Sequence, residues 1–206
     1  MSKLKHPSCL LCVGATQSGK TSLIRQMIAQ KAHDYGLKSI IWCYKAFQDW
    51  FFEEKGISFV QGKPENFENE SLVIIYDWMS DLNGKIAELF IATSHNSRIR
   101  VILILQNLFP RNKVMRDISL NVQYIILFKN NRDVGQIQCF RKTIKHQRKS
   151  VYGNKASAFM DAYKKSTQGN FNYLLVDLHI RGRTKNSGSE RVYSPIAMDS
   201  IGFMSQ

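Results

Sequence analysis

Acidic residues are scarce in this chain: 16 aspartates and glutamates stand against 29 lysines and arginines, for a formal net charge of +13 and a sequence pI near 9.7. That imbalance suits a small acceptor molecule poorly and points to a polyanionic partner, with nucleic acid the default. Cysteine is also sparse, at four residues. Cys9 and Cys12 form a C-x-x-C pair, but on a strand an odd offset sends them to opposite faces, and no second Cys/His pair stands at zinc spacing, so a metal centre is not expected. Cys43 reads as strand packing and Cys139 as surface chemistry. There is no apolar run of about 18 residues, which argues against a membrane span. A basic-then-apolar leader is missing too, so a reducing aqueous compartment is expected. Low-complexity tracts and internal repeats are absent, which sets aside fibrous and solenoid classes.

What is present is a globular composition, 44% hydrophobic and 22% charged over 206 residues. That length suits one well-buried α/β domain and is short for two. The expected organisation is a domain over residues 1–180 and a basic tail or hairpin over 181–206, which is not a separate domain.

The stretch from Gly14 to Thr21, GATQSGKT, fits the phosphate-binding pattern G-x-x-x-x-G-K-[ST] at every fixed position. Its context fits as well. The apolar run Ser8 to Val13 precedes it, and Leu23, Ile24, Met27 and Ile28 follow at helical spacing towards Gly36. Gly14 and Gly19 let the backbone curl around a polyphosphate, while the loop N–H groups and the helix N-terminus make an anion cradle. Gly14, Ala15, Thr16, Gln17, Ser18, Gly19, Lys20, Thr21 and Ser22 are therefore the candidate ATP-binding residues. Lys20 supplies a point charge for the β and γ phosphates, and the Thr21 hydroxyl can ligate Mg²⁺.

Further along, Lys38 to Tyr44 reads as a strand, and Phe47, Trp50, Phe51 and Phe52 as a helix packed on the sheet. Leu72 to Tyr76 is an apolar run that delivers Asp77, a carboxylate placed to hold Mg²⁺ at the tip of a buried parallel strand. Val101 to Leu105 delivers Gln106 and Asn107, amides that need partners such as a γ-phosphate or an attacking water. Tyr124 to Phe128 and Tyr173 to Leu178 read as further strands. Arg141, Lys142, Lys145, Arg148 and Lys149 form a basic cluster suited to gripping DNA phosphates.

In this order, GATQSGKT, the Leu72 to Asp77 strand, Ser94-His95, the QNLF run from Gln106, the ISLN run from Ile118, the LFKN run from Leu127 with Arg132-Asp133, and Gly169 to Leu178 resemble the genome-packaging ATPases of the FtsK/HerA superfamily. The likeness is closest to those of Polinton/Maverick elements and adintoviruses. It implies an additional-strand P-loop NTPase fold, an α/β architecture with a mostly parallel central sheet flanked by helices. In that arrangement the Gln106 strand lies between the phosphate-loop strand and the Asp77 strand. It also implies an ATPase that forms a homo-oligomeric ring, uses ATP and Mg²⁺, and pumps double-stranded DNA into a capsid through a capsid or portal partner. The implied setting is the nucleus or cytoplasm of a host cell at sites of virus assembly, or the virion, with no secretion and no membrane partner. By the same resemblance Lys20 and Thr21 bind phosphate and metal, Asp77 orders the metal, and Gln106 senses the γ-phosphate. Arg132 or Arg116 is the finger that reaches a neighbour's site.

One position departs from that pattern. The family carries a second acid directly after the metal aspartate, and this chain has Trp78 there; Asp81, a turn further on, is the candidate replacement base. Three other readings compete: a helicase or conjugation-type DNA pump, a nucleotide-dependent DNA-binding or assembly protein with weak or no hydrolysis, and a small-molecule kinase.

Overall fold

The computed structural model describes residues 4–5, 8–32, 36–63, 69–78, 82–95, 99–108, 113–130, 135–139 and 156–178, with the backbone alone at 92–95 and 156–158. Its strands are β1 (Ser8–Val13), β2 (Ser39–Tyr44), β3 (Ser58–Gln61), β4 (Ser71–Tyr76), β5 (Arg100–Leu105), β6 (Tyr124–Phe128) and β7 (Tyr173–Asp177). Its helices are α1 (Lys20–Ala29), α2 (Gly84–His95), α3 (Lys113–Leu120) and α4 (Ala156–Ser166), with a 3₁₀ turn at Asp49–Glu53.

The strands form one sheet in the order β3-β2-β4-β5-β1-β6-β7. Every neighbouring pair is parallel except β6 and β7, which run antiparallel. β5 lies between β1 and β4, as expected, with Val13 opposite Leu105 and Tyr76 opposite Ile104. Parallel strands covered on both faces read as continuous apolar runs rather than alternating ones. All six residues of β1 and of β5 are accordingly buried.

The sheet separates two cores. Cys9, Leu11 and Val13 face α2, α3 and α4 through Phe90, Ile118 and Phe159. Leu10 and Cys12 face α1 and the aromatic side through Leu23, Ile24, Met27 and Trp42. The two cysteines thus fall on opposite faces, and Cys43 is buried while Cys139 is exposed. Each fully buried aliphatic side chain contributes about 1.5–3 kcal/mol relative to exposure.

Two elements are shorter than the sequence pattern predicts. α1 ends at Ala29 because Lys31 turns left-handed, at φ 48°, and the Ala32 N–H bonds back to the Met27 carbonyl at 3.0 Å, which stops the helix. The aromatic run forms only the 3₁₀ turn. Phe51 stacks on Phe59, with centroids 4.3 Å apart, and Trp50 meets Trp42 edge-on at 5.2 Å. Phe47 and Phe52 stay exposed.

Candidate functional site

Parallel strands deliver their carboxyl ends to one edge of a sheet, and at this edge the loops after β1, β4 and β5 meet. A cavity of about 230 Å³ lies there, lined by Thr16 to Ser22, Tyr76, Asp77, Ile104, Leu105, Gln106 and Phe171. Strand adjacency therefore brings the phosphate loop, the strand-end aspartate and the strand-end glutamine to one surface.

The loop's two motif glycines are required by close approach. A Cβ on Gly14 would come within 2.5 Å of the Phe128 Cβ and 2.7 Å of Ser18 Oγ. Gly19 caps α1 with φ 93°, and a Cβ there would meet the Phe171 ring at 2.9 Å. The Gly14 N–H bonds to the Leu105 carbonyl at 3.2 Å, which anchors the loop to β5. Ser18 Oγ is buried and has no hydrogen-bond partner among the described residues.

Lys20 is 8% exposed. Its ammonium donates to the carbonyls of Gly14 at 2.7 Å and Ala15 at 2.6 Å, so the loop holds its own cation in place. Burial pushes the Lys20 pKa down, and the nearby Asp77 carboxylate partly offsets it. Under the loop, burial raises the Cys12 thiol to about 12, with Lys20 pulling the other way. Cys12 is thus a neutral packing group, not a redox centre.

Asp77 follows β4 in a left-handed conformation, φ 60°, which Asp tolerates better than most residues. Its Oδ1 accepts a hydrogen bond from Gln106 Nε2 at 3.3 Å. Thr21 and Asp77 bring a hydroxyl and a carboxylate to the same cavity, an oxygen donor set that suits Mg²⁺. Among the described residues no group of three or more His, Cys, Asp or Glu could cage a metal.

The bend at Asp77 also sends the next side chain elsewhere. Trp78 is buried, packed in the core that contains Leu82 and Ile86, with the Lys63 and Lys45 ammonium groups 5.6 and 6.0 Å from its ring centre. It does not line the cavity, so an acid at this position would enter the core rather than face a nucleotide.

Of the residues marked out from sequence, Thr16 to Ser22, Asp77 and Gln106 converge on the cavity, and Gly14 and Ala15 hold Lys20 beside it. Arg116 is exposed on α3 and does not line it. Asp81, Arg132, Arg141, Lys142, Lys145, Arg148 and Lys149 lie outside the described residues. Sequence reasoning missed Tyr76 and Phe171. The antiparallel β7 enters the sheet at the carboxyl edge, so the turn before it carries Phe171 over Gly19. An aromatic in a Gly-Asn-Phe-Asn turn ahead of an apolar strand was the available signal.

Among solved structures, the chain is similar to the genome packaging NTPase B204 from Sulfolobus turreted icosahedral virus 2 in complex with ATPγS. The match has 18% identity and a TM-score of 0.53, and covers 83% of this chain and 92% of that one. It is also similar to B204, the DNA-packaging ATPase from Sulfolobus turreted icosahedral virus, at 16% identity and a TM-score of 0.55, with 86% and 94% covered. At such identities the likeness concerns architecture. The fold is that of a P-loop NTPase. No family model matches the sequence, and no curated protein does.

Proposed function

We propose that this protein is an ATP-hydrolysing motor that moves double-stranded DNA, of the FtsK/HerA superfamily and closest to the Polinton/Maverick and adintovirus packaging ATPases, working as a homo-oligomeric ring to fill a capsid. The observation that carries the reading is the convergence of Lys20, Thr21, Asp77 and Gln106 on one cavity, with the Gln106 strand between the other two. The structural neighbours, genome packaging NTPases in complex with ATPγS and with AMP, support it. So does the net charge of +13, which favours a polyanionic track.

In this reading the loop N–H groups and Lys20 bind the phosphates, Gln106 orients the terminal phosphoryl group beside Asp77, and Thr21 with Asp77 holds Mg²⁺. The metal's contribution is to offset charge on the β and γ phosphates. Arg132 or Arg116 of one subunit reaches the site of the next, and Arg141, Lys142, Lys145, Arg148 and Lys149 contact DNA phosphates. Asp81 is the candidate for activating water.

The burial of Trp78 favours a second reading, a nucleotide-dependent DNA-binding or assembly protein with weak hydrolysis. Phosphate release measured with and without duplex DNA separates the two. A motor is stimulated by DNA in a salt-dependent manner, whereas an assembly protein turns over slowly under both conditions. ATP turnover that is fast and indifferent to DNA sinks both readings.

A further inference from the structure

Tyr76 is the last residue of β4 and lines the nucleotide cavity. Behind it lies a short hydrogen-bonded chain. Trp50 Nε1–H donates to Gln48 Oε1 at 2.5 Å, and Gln48 Nε2 donates to Tyr76 Oη at 3.1 Å. An indole N–H can only donate. The Trp50 contact therefore fixes which end of the Gln48 amide is oxygen, and so makes the other end the donor to Tyr76.

The consequence falls on the hydroxyl. Its oxygen already accepts from Gln48, and among the described residues nothing accepts its hydrogen. The Trp42 ring, 6.1 Å from the Tyr76 ring centre to centre, backs it on the α1 side. A phenol held by its ring and by one accepted bond has its hydrogen turned away from that donor. Tyr76 lines the same cavity as Asp77 and Gln106, so a ligand bound there is the candidate acceptor for that hydrogen.

We propose that Tyr76 donates its hydroxyl hydrogen to an oxygen of the terminal phosphate of a nucleoside triphosphate in this cavity, and that Gln48 is the positioning residue that keeps the hydroxyl turned that way. The inference rests on the nucleotide-binding reading above. The terminal phosphate is the assigned acceptor because it is the part of a polyphosphate bordered by Asp77 and Gln106, the strand-end neighbours of Tyr76, while the loop N–H groups take the inner phosphates. Tyr76 thereby distinguishes a triphosphate from a diphosphate.

The test is calorimetric titration of the full chain with ATPγS and with ADP, for the wild type, Tyr76→Phe, Gln48→Glu and the double variant. Tyr76→Phe is expected to lose roughly 10- to 100-fold in ATPγS affinity, the range for a hydrogen bond to a charged acceptor, while ADP affinity holds. Gln48→Glu should reproduce that loss, because a carboxylate accepts from both Trp50 and Tyr76 and draws the hydroxyl hydrogen back from the cavity. The double variant should be no worse than either single one. Equal ATPγS affinity in the wild type and Tyr76→Phe overturns the assignment of Tyr76. A further loss on adding Gln48→Glu to Tyr76→Phe means the new charge acts directly on the phosphates and overturns the role of Gln48. A wild type that binds neither nucleotide overturns the nucleotide reading together with this one. Should Tyr76→Phe fail to fold, Gln48→Met, which removes the donor to Tyr76 Oη without adding a charge, takes its place: weaker ATPγS binding with ADP binding held supports the proposal, and ATPγS affinity equal to the wild type overturns it.

Discussion

The two edges of the sheet are built from the same strands and treat their polar groups in opposite ways. At the amino edge, Arg100 is 1% exposed and donates to Ser8 Oγ and to the Lys5 carbonyl, both at 3.2 Å. Ser39 and Ser71 share a hydrogen bond of 2.7 Å, and Gln123 Oε1 accepts the Cys9 N–H at 2.6 Å. At the carboxyl edge, Gln17, Asp77 and Phe171 hold left-handed backbones at φ 63°, 60° and 61°, and Asp77 and Gln106 are exposed. Such backbone conformations cost of order 1–3 kcal/mol each and persist only where the surroundings impose them. Glu70, directly before β4 at the amino edge, is left-handed too, at φ 68°, so what separates the edges is exposure: one closes the fold, and the other presents reachable polar groups to a cavity. The contrast locates the working end of the molecule independently of the phosphate-loop motif.

Substitutions at the two edges should therefore separate activity from stability. Lys20→Ala is expected to lower ATP turnover by about 100- to 1,000-fold or more, the range for removing one charge-stabilising donor. Its stability should barely move, because relief from burying a cation offsets two lost hydrogen bonds to loop carbonyls. The pH dependence sharpens the point. Burial lowers the Lys20 pKa below its ordinary 10.5, so between the lowered value and 10.5 the unfolded chain binds more protons, and this group makes stability rise with pH. Lys20→Ala should flatten that alkaline rise in denaturant titrations. A turnover close to wild type would remove the cavity from consideration as a hydrolytic site.

Arg100→Ala should show the reverse profile. It strips the donor from buried neutral acceptors at the amino edge, and a buried acceptor left unsatisfied costs about 1–3 kcal/mol. For a chain of this size that lowers the melting temperature by roughly 2–12 °C. Below the transition, nucleotide affinity measured by titration should match the wild type. Weaker nucleotide binding in a folded Arg100→Ala protein would show that the two edges are coupled.

The sequence made the carboxyl edge legible wherever a fixed pattern met a buried strand. GATQSGKT after Ser8–Val13, Asp77 after β4 and Gln106 after β5 all fall where the apolar runs predict, because a parallel strand hands its next residue to the same edge as its neighbours. Long-range partners were harder to read. The role of Arg100 depends on Ser8 and Lys5, more than 90 positions away. The direction of Trp78 depends on a single backbone angle at Asp77, which no residue pattern encodes. Tyr76 read as the end of an apolar run because its polar partner, Gln48, sits on a different turn. The aromatic run after β2 predicted a helix by residue type, yet it closes into a 3₁₀ turn, since its rings pack on Trp42 and Phe59 over a short span.

Phe171 is where the comparison between edges can be tested most finely, because it combines the features of the working edge in one residue. Its ring is 54% exposed, lines the cavity and lies against Gly19, on a backbone at φ 61° that an aromatic residue adopts only at a cost. If that arrangement served packing, cutting the side chain would destabilise the fold. If it serves a ligand, cutting it should relieve strain and weaken binding. Phe171→Gly is thus expected to leave the melting temperature unchanged or slightly raised, as relief of a left-handed conformation offsets the little apolar area lost. Nucleotide affinity should fall only about 2- to 10-fold, the scale of one aromatic contact of about 0.5–1.5 kcal/mol. Phe171→Ala separates the two effects further. It loses the same ring but keeps a Cβ at a positive φ, so it should match Phe171→Gly in affinity and fall below it in stability. A Phe171→Gly protein that melts well below the wild type and binds nucleotide equally well would make Phe171 a packing residue and confine the working edge to the phosphate loop, Tyr76, Asp77 and Gln106.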